Sequence, residues 1–334
     1  MDHRALYDGD VNSYETSLDK TVYSISQVAQ QLHRAIASVI WGKDEQIDYA
    51  ILVLLSRGHL LIEDIPGVGK TMLAKALARS INTPIGRIQF TPDLLPSDIT
   101  GVSIWDQSRS EFTFNEGPIF ASIVIADEIN RASPKTQSAL LEAMAEGQVT
   151  VDGISRPLPQ PFMVIATQNP IEMEGTYPLP EAQQDRFWIK TSMGYPTKEA
   201  EIALLEAHGD RDPLADLQPV CDSHRIAHFS QQIDSIYLSE QLKGYIVDIC
   251  AKTRTDKRLS LGVAPRGALH LLRASKTRAA MKNRTYVIPD DISTLAVPLL
   301  AHRVIVSAHS RLNGLSSEEI ISDICTHIPV PQGR

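Results

Sequence analysis

The chain has 334 residues, with 32 Lys and Arg against 40 Asp and Glu, which gives a formal net charge of −8. Its composition, 43% hydrophobic and 22% charged, excludes a disordered, collagen-like or coiled-coil chain and suffices for two domains with cores of their own. The acidic balance argues against nucleic-acid binding by bulk charge, and three widely spaced cysteines exclude a disulfide scaffold and form no zinc motif.

The N-terminal segment, residues 1–20, is polar and acidic and lacks apolar periodicity. We predict a mobile arm there. The segment has no apolar stretch typical of a secretory signal, and apolar runs elsewhere stay far below the ~20 residues that span a bilayer. We therefore expect a cytoplasmic protein with no membrane span.

Short apolar runs and helical patterns then alternate. A helical spacing of apolar residues covers residues 25–39, and five apolar runs follow at residues 59–63, 87–90, 122–127, 162–167 and 187–191. Three of these runs are uninterrupted, which is typical of strands buried on both faces of a mainly parallel sheet. Helices are predicted at residues 71–79 and 134–146, and a small hairpin at residues 149–154.

From residue 196 onward the strand patterns stop, and helical patterns cover residues 198–207, 239–253, 265–281 and 289–308. The predicted organisation is therefore an α/β domain followed by a helical one. Its limits are residues 1–20 for the arm, 21–195 for the α/β domain, 196–238 for a linker with the first helices of the second domain, and 239–330 for the helical domain.

The segment Glu-Asp-Ile-Pro-Gly-Val-Gly-Lys-Thr, residues 63–71, follows the first predicted strand and opens a helix. Gly67 and Gly69 allow the backbone to approach an anion closely, Lys70 would reach the β- and γ-phosphates, and the Thr71 hydroxyl would hold Mg²⁺. Asp64 stands where the usual G-x-x-x-x-G-K-[ST] pattern has its first glycine.

A solvated glycine-rich turn explains this segment less well, because a lysine in the first helical turn opposes the helix dipole unless an anion is bound. We therefore predict a site for ATP or ADP with Mg²⁺. The loop residues expected at the nucleotide are Pro66, Gly67, Val68, Gly69, Lys70, Thr71 and Met72.

Two carboxylates, Asp127 and Glu128, end a buried apolar strand. Ligands of open α/β sheets bind at the carboxyl ends of strands. Asp127 is therefore predicted to contact Mg²⁺, directly or through water, and Glu128 to act as the base that polarises the attacking water. The next strand runs into Asn169, whose amide would hold that water or the γ-phosphate, although Asn-Pro is also an ordinary turn signal.

Two arginines complete the candidate site. Arg186 lies between a helical pattern and the last predicted strand, where local sequence alone favours a pair with a surface carboxylate. Arg266 lies in the first turn of the helix at residues 265–281, again against the dipole, which indicates a bound anion.

Five stretches together resemble the MoxR family of AAA+ ATPases, in family order and spacing. They are IEDIPGVGKT at 62–71, QFTPDLLPSD at 89–98, ADEINRA at 126–132, ATQNP at 166–170 and AQQDRF at 182–187. The resemblance covers about residues 24–325. It implies a P-loop αβα sandwich with a five-stranded, mainly parallel sheet, followed by a small all-α lid domain.

The resemblance also assigns roles. It matches Lys70 and Thr71 to Walker A, Asp127 and Glu128 to Walker B, Asn169 to sensor 1, Arg266 to sensor 2, Arg186 to an arginine finger acting in trans, and Gly42 to the border of the adenine. It implies a hexameric ring and chaperone-like remodelling of protein complexes or metalloprotein maturation, beside a partner with a von Willebrand A domain. Residues 101–117 are similar to the family's insertion, and loops at 94–97 and 105–114 are candidates for client contact.

Three other functions stay open. A nucleic-acid motor is compatible with such a fold, but the acidic charge and the lack of an appended DNA-binding motif stand against it. A metal-chelatase-type ATPase subunit is a related possibility. A nucleotide-gated switch with slow turnover is the third, and the intact Glu128 argues against a dead site.

Overall fold

The computed structural model describes residues 8–169, 176–207 and 213–331. Helices in this part of the chain are α1 (Asp8–Ala37), α2 (Asp44–Leu55), α3 (Lys70–Ser80), α4 (Pro96–Thr100), α5 (Pro134–Glu146), α6 (Glu181–Gln184), α7 (Lys198–Ala207), α8 (Pro213–Asp216), α9 (Ser223–Gln232), α10 (Glu240–Thr255), α11 (Pro265–Met281), α12 (Pro289–Leu300), α13 (Ala308–Leu312) and α14 (Ser317–His327). Strands are β1 (Leu60–Glu63), β2 (Ile85–Gln89), β3 (Gly101–Asp106), β4 (Glu111–Glu116), β5 (Ile123–Asp127), β6 (Gln148–Val151), β7 (Ile154–Pro157), β8 (Met163–Gln168), β9 (Ile189–Thr191), β10 (Leu259–Leu261) and β11 (Ile305–Val306).

The chain forms two compact units. The sheet unit comprises residues 32–227, and the helical unit comprises the chain up to Gln31 together with His228–Arg334. None of the helices that the structure describes has the length and hydropathy of a bilayer-spanning segment.

The sheet unit is built on five strands in the order β2-β5-β8-β1-β9, and every neighbouring pair in this sheet is parallel. All five residues of β5 are buried, as expected of a strand covered on both faces. The predicted α/β sandwich with a five-stranded sheet is therefore confirmed. Because β5, β8 and β1 are neighbours, the residues that follow them meet at one edge of the sheet.

Helix α5 follows the local rules closely. The hydroxyl of Ser133 accepts a hydrogen bond from the Thr136 amide, Pro134 occupies the first helical position, and Gly147 ends the helix in the left-handed region with φ 64°. The predicted hairpin is also present as β6 and β7, which turn at two residues of positive φ, Asp152 and Gly153.

Strands β3 and β4 form a second antiparallel hairpin within the segment similar to the family's insertion, so the loop predicted at residues 105–114 is wrong for the residues at either end, which belong to these strands. Its base is fixed where the guanidinium of Arg156 lies 3.8 Å from the centre of the Phe114 ring, which also packs edge-on against Phe120. Near its tip Trp105 and Phe112 pack edge-on, with ring centres 5.1 Å apart, although they are 50% and 71% exposed.

The expected mobile arm at residues 1–20 is wrong for residues 8–20, which form the first turns of α1. Apolar periodicity marks only where a helix packs, and a helix propagates beyond its packed stretch once nucleated. Residues 1–7 lie outside the described part of the chain.

The two units do not end where the predicted domains end. Residues 21–31 belong to the helical unit, and residues 196–227 belong to the sheet unit. The reason for the second difference is local: the guanidinium of Arg79, at the end of α3, donates to the carbonyls of Ala215 and Leu217 at 2.6 and 2.8 Å. These bonds connect the segment that follows α7 to helix α3.

The helical unit is helical as predicted, with one correction. The helix predicted over residues 289–308 ends at Leu300, and a short pair of strands, β10 and β11, interrupts the pattern. Ser307 then caps α13, since its hydroxyl accepts a hydrogen bond from the Ser310 amide. Apolar periodicity continued across this break because both sides of it are packed in the same core.

Candidate nucleotide site

The loop between β1 and α3 has a backbone that only glycine adopts easily. Gly67 has φ 87° and Gly69 has φ 94°, and no described residue beyond the chain neighbours has an atom within 4 Å of the position that a Cβ would take at either. A side chain would strain both positions and project into that open space. The loop therefore leaves its backbone amides accessible to an anion, as phosphate binding requires.

Lys70, the first residue of α3, donates its ammonium to the backbone carbonyl of Asp64 at 2.5 Å. Burial lowers the pKa of Lys70, and the negative charges of Asp64, Asp127 and Glu128 oppose that shift. The ammonium is thus held within reach of three carboxylates at the edge of the sheet. A phosphate would offer it a stronger, charge-assisted bond than the carbonyl does.

Asp64 is buried and accepts hydrogen bonds at both carboxylate oxygens. Oδ1 accepts from the Ile65 amide at 2.8 Å, while Oδ2 accepts from the Ser192 hydroxyl at 2.8 Å and the Gly194 amide at 2.6 Å. Burial alone would raise the pKa of Asp64, but these bonds, with a further one from the Met193 amide, outweigh it and hold the pKa below its ordinary value.

The segment after β9 that binds Asp64 is also held from the start of α2. Lys43 donates to the carbonyls of Gly194 and Tyr195 at 3.2 and 2.9 Å, and Gln46 donates to the Ser192 carbonyl at 2.9 Å. Gly42 precedes this lysine with φ 69°. One short segment, residues 192–195, therefore connects the phosphate loop to Lys43, the neighbour of Gly42, which is predicted to border the adenine.

Asp127, at the end of β5, is buried and accepts two hydrogen bonds. Arg87 donates from Nε to Oδ2 at 3.1 Å, and Thr167 donates its hydroxyl to Oδ1 at 3.3 Å. Arg87 lies on β2 and Thr167 on β8, the two strands that flank β5 in the sheet. The carboxylate is thus oriented from both sides.

Glu128 has φ 58°, a left-handed conformation that is uncommon for a residue with a side chain. Its amide donates to the Thr167 hydroxyl at 2.9 Å, which holds the backbone in place. Its carboxylate oxygen Oε2 accepts from Gln89 at 2.9 Å and from Arg131 at 3.0 Å. Such strain is typical of functional residues, and here the contacts around Glu128 maintain it.

Three residues of this network received no role from the sequence: Arg87, Gln89 and Thr167. Gln89 pairs directly with Asp127 across β2 and β5. Sequence order does not reveal that these strands are neighbours, because β3 and β4 come between them along the chain. The available signal was polarity at alternate positions of β2, which places Arg87 and Gln89 on one face of that strand.

The three residues predicted as sensors and arginine finger differ in what surrounds them. Asn169, directly after β8, is buried at the same sheet edge, and its backbone carbonyl accepts from Asn130 at 3.4 Å. Arg186, between α6 and β9, is half-buried; Nη1 donates to the Ala182 carbonyl at 3.5 Å, and Nε has no partner among the described residues. Arg266 is the second residue of α11, in the helical unit, and is exposed.

The donors available for a metal suit Mg²⁺ at a nucleotide. Thr71 and Asp127 offer a hydroxyl and a carboxylate, which are the oxygen ligands Mg²⁺ prefers alongside phosphate and water. Among the described residues no group of three or more His, Cys, Asp or Glu could enclose a metal ion. The residues present therefore fit a metal that arrives with its nucleotide.

Known proteins are similar to this chain in both its sheet-containing and its helical part. Residues 59–189 match the profile of the ATPase family associated with various cellular activities (AAA), and residues 251–324 match an AAA lid domain. The Bacillus subtilis protein YeaC is 48% identical over 90% of this chain and 93% of its own. Chaperone MoxR1 of Mycobacterium tuberculosis is 38% identical over 90% of this chain and 82% of its own. A protein from Cytophaga hutchinsonii whose crystal structure is known has 34% sequence identity to this chain. The two structures match with a TM-score of 0.89, over 96% of this chain and 99% of the other.

Proposed function

The chain belongs to the MoxR family of AAA+ ATPases, and from this premise we propose that it hydrolyses ATP with Mg²⁺ to remodel protein complexes. One observation carries the hydrolytic part of the proposal. Glu128 follows strand β5 in a left-handed backbone conformation, and its negative charge is one of those that oppose the lowering of the Lys70 pKa by burial. A phosphate on Lys70 would therefore lie near the carboxylate that polarises the attacking water.

We assign the binding roles as follows. Pro66, Gly67, Val68, Gly69, Lys70, Thr71 and Met72 surround the phosphates, with Gly42 on the adenine side. Thr71 and Asp127 hold Mg²⁺, which when bound neutralises charge on the β- and γ-phosphates. Arg87 and Thr167 orient the Asp127 carboxylate for that contact.

Hydrolysis falls to Glu128 and Asn169. Glu128 accepts a proton from the water that attacks the γ-phosphate, and the buried amide of Asn169 positions that water or the phosphate. Both Gln89 and Arg131 bind Oε2 of Glu128, so we assign the water to Oε1. Arg266 and Arg186 stabilise charge on the γ-phosphate, Arg186 from a neighbouring subunit.

A finger in trans requires a head-to-tail interface, and closing such an interface makes a ring. We propose a hexamer that acts on a protein client, with a von Willebrand A domain protein as partner. The Mycobacterium tuberculosis relative is named a chaperone, which supports client remodelling as the function of this chain. The hairpin of β3 and β4, with Trp105 and Phe112 exposed near its tip, is our candidate for client contact.

The three cysteines are free thiols, which fits a reducing compartment, and we propose the cytoplasm. A metal-chelatase subunit or a nucleic-acid motor is not favoured, because relatives of the MoxR family match nine-tenths of the chain and the net charge is −8. Metalloprotein maturation stays one form that the client role can take.

Paired variants test the proposal. Lys70→Ala should abolish ATP binding, because Lys70 contacts the phosphates in the ground state, whereas Glu128→Gln should retain binding and lose hydrolysis. Lys75→Ala, which removes an exposed lysine from the same helix α3, is the matched control and should behave as wild type. Nucleotide affinity and phosphate release are the measurements. Normal turnover in Glu128→Gln would disprove the assignment of the base.

A further inference from the structure

Asp64 occupies a position at which the phosphate-loop pattern ordinarily has glycine, and the structure gives its side chain a specific set of partners. Its carboxylate is buried and accepts from the amides of Ile65 and Gly194 and from the Ser192 hydroxyl, at 2.6–2.8 Å. Three short bonds to one carboxylate are more than the loop needs for its own turn, since only the bond from Ile65 lies within the loop.

The two bonds that leave the loop end in residues 192–195. That segment is held on its other side by Lys43 and Gln46, which donate to three of its carbonyls at 2.9–3.2 Å. Asp64 itself carries the carbonyl that accepts the Lys70 ammonium. A continuous chain of hydrogen bonds thus runs from Lys70 through Asp64 and residues 192–195 to Lys43, beside Gly42.

We propose that Asp64 is a positioning residue that couples the phosphate loop to residues 192–195. The coupling lets the protein bind the phosphates and the base of one nucleotide at the same time. This inference rests on the proposed function in that it assumes phosphates at Lys70 and a base near Gly42. Binding of phosphates alone then depends little on Asp64, whereas binding of a whole nucleotide depends on it strongly. Hydrolysis of bound ATP depends little on it, because Glu128 and Asp127 are oriented by contacts from Thr167, Arg87, Gln89 and Arg131.

The acceptor geometry explains why aspartate serves this purpose. Both oxygens face donors, so an asparagine amide at this position would set N–H against N–H at one of them. Glycine would restore the usual loop pattern but leave the Gly194 amide and the Ser192 hydroxyl without their acceptor, which is costly where the site is buried. Asp64→Gly is therefore expected to weaken nucleotide binding, although it moves the loop toward its common sequence.

The test compares Asp64→Asn, Asp64→Gly and wild type with two probes, ATP and inorganic tripolyphosphate. We expect the dissociation constant for ATP to rise about tenfold and that for tripolyphosphate to rise less than about threefold, with single-turnover hydrolysis of bound ATP within about threefold of wild type. Asp106→Asn is the matched control, because that aspartate also accepts from a hydroxyl and backbone amides, in the hairpin loop. It should leave both affinities unchanged.

Hydrogen exchange of residues 192–195, measured without nucleotide, separates this inference from the proposed function. Exchange of the Gly194 amide should be faster in both Asp64 variants than in wild type, whether or not the protein hydrolyses ATP. Equal losses for ATP and tripolyphosphate, or unchanged exchange at Gly194, would overturn the coupling. If the Asp64 variants do not fold, Ser192→Ala gives the same test, with a rise of about twofold expected for ATP alone.

Discussion

Asp64, within the phosphate loop, and Glu128, directly after β5, are two carboxylates whose charges act on Lys70, and the structure gives them different hydrogen-bond donors. The donors to Asp64 are two backbone amides and the hydroxyl of Ser192, a short side chain, so each is held close to the backbone. The donors to Glu128 are the ends of two long side chains, Gln89 and Arg131, and the Arg131 side chain is 44% exposed. The Asp64 carboxylate is therefore held by backbone groups, while the Glu128 carboxylate is held by long side chains that can change rotamer.

The comparison indicates that two acidic residues of one site can have different purposes. A buried acid with a lowered pKa and rigid donors stays ionised and fixes geometry. Glu128, on a left-handed backbone, has both of these side-chain donors on one oxygen, and in our proposal the other oxygen binds the attacking water. The presence of an acidic residue near the phosphate loop therefore does not assign its role. The hydrogen-bond donors to its carboxylate do.

The largest expected effect comes from Arg186, which tests whether the hydrolytic side of the site extends beyond one subunit. Arg186→Ala should leave ATP affinity nearly intact and lower turnover by ~10³–10⁵, the range known for arginine fingers. The physical reason is that a finger contacts charge that develops on the γ-phosphate during transfer. Titration of ATP binding and steady-state phosphate release measure the two quantities.

Mixed rings distinguish action in trans from action in cis. Lys70→Ala subunits keep Arg186 but bind no ATP, and Arg186→Ala subunits bind ATP without a finger. Together they should regain part of the activity that neither has alone. An inactive mixture in which mixed rings demonstrably form would refute the role in trans, and Arg131, which already contacts Glu128, would be the next candidate.

A smaller effect is expected at Thr167, whose hydroxyl connects the two acids of the hydrolytic side. Thr167→Val keeps the shape but removes the acceptor for the Glu128 amide and the donor to Asp127. The unpaired amide costs about 1–3 kcal/mol, so hydrolysis should fall by about 10- to 100-fold with little change in ATP affinity. Thr167→Ser retains the hydroxyl and should remain within about threefold of wild type. If both variants hydrolyse ATP equally, the bond to Glu128 is not needed.

The smallest effect concerns stability rather than activity and lies at the opposite end of β1, just before Leu60. His59 is buried; its Nδ1 accepts from the Val164 amide at 3.0 Å and its Nε2 donates to the Met144 carbonyl at 3.2 Å. Burial lowers the pKa of His59 to about 4, against the opposing pull of the bond to Met144. The folded protein therefore holds His59 neutral where the unfolded chain takes up a proton.

The stabilising contribution is complete above the unfolded pKa of 6.5 and is lost as the pH falls toward about 4. Between pH 6.5 and 5 the free energy of unfolding should fall by about 2 kcal/mol on account of this residue. Denaturant unfolding across that range should show a weaker pH dependence in His59→Gln than in wild type. Identical slopes would contradict the lowered pKa, because they would mean that His59 titrates alike in the folded and the unfolded chain.

Much of the sheet unit could be predicted because its signals are local. An apolar run that ends in polar residues marks both a buried strand and the edge where a ligand binds, and β1, β5 and β8 each follow that pattern. Proline at the first helical position marks where α5 and α11 begin, and Gly147 marks where α5 ends.

Contacts between distant segments could not be predicted in the same way. Gln89 reaches Glu128 only because β2 lies beside β5, and Asp64 binds Gly194 across 130 positions of sequence. The departure at Asp64 was visible as an unusual residue, but its partners carry no motif of their own. Polar patterning likewise concealed the first turns of α1 and the hairpin of β3 and β4.

The central claim is that Asp64 and Glu128 act on different steps, and single-turnover kinetics of Asp64→Asn and Glu128→Gln beside wild type test it most directly. One titration of enzyme against ATP yields both the dissociation constant and the rate of hydrolysis of bound ATP. We predict a crossed pattern, in which Asp64→Asn binds about tenfold more weakly and hydrolyses nearly normally, while Glu128→Gln binds normally and hydrolyses at least about 10²-fold more slowly. If both variants lose the same parameter, the division of roles is contradicted.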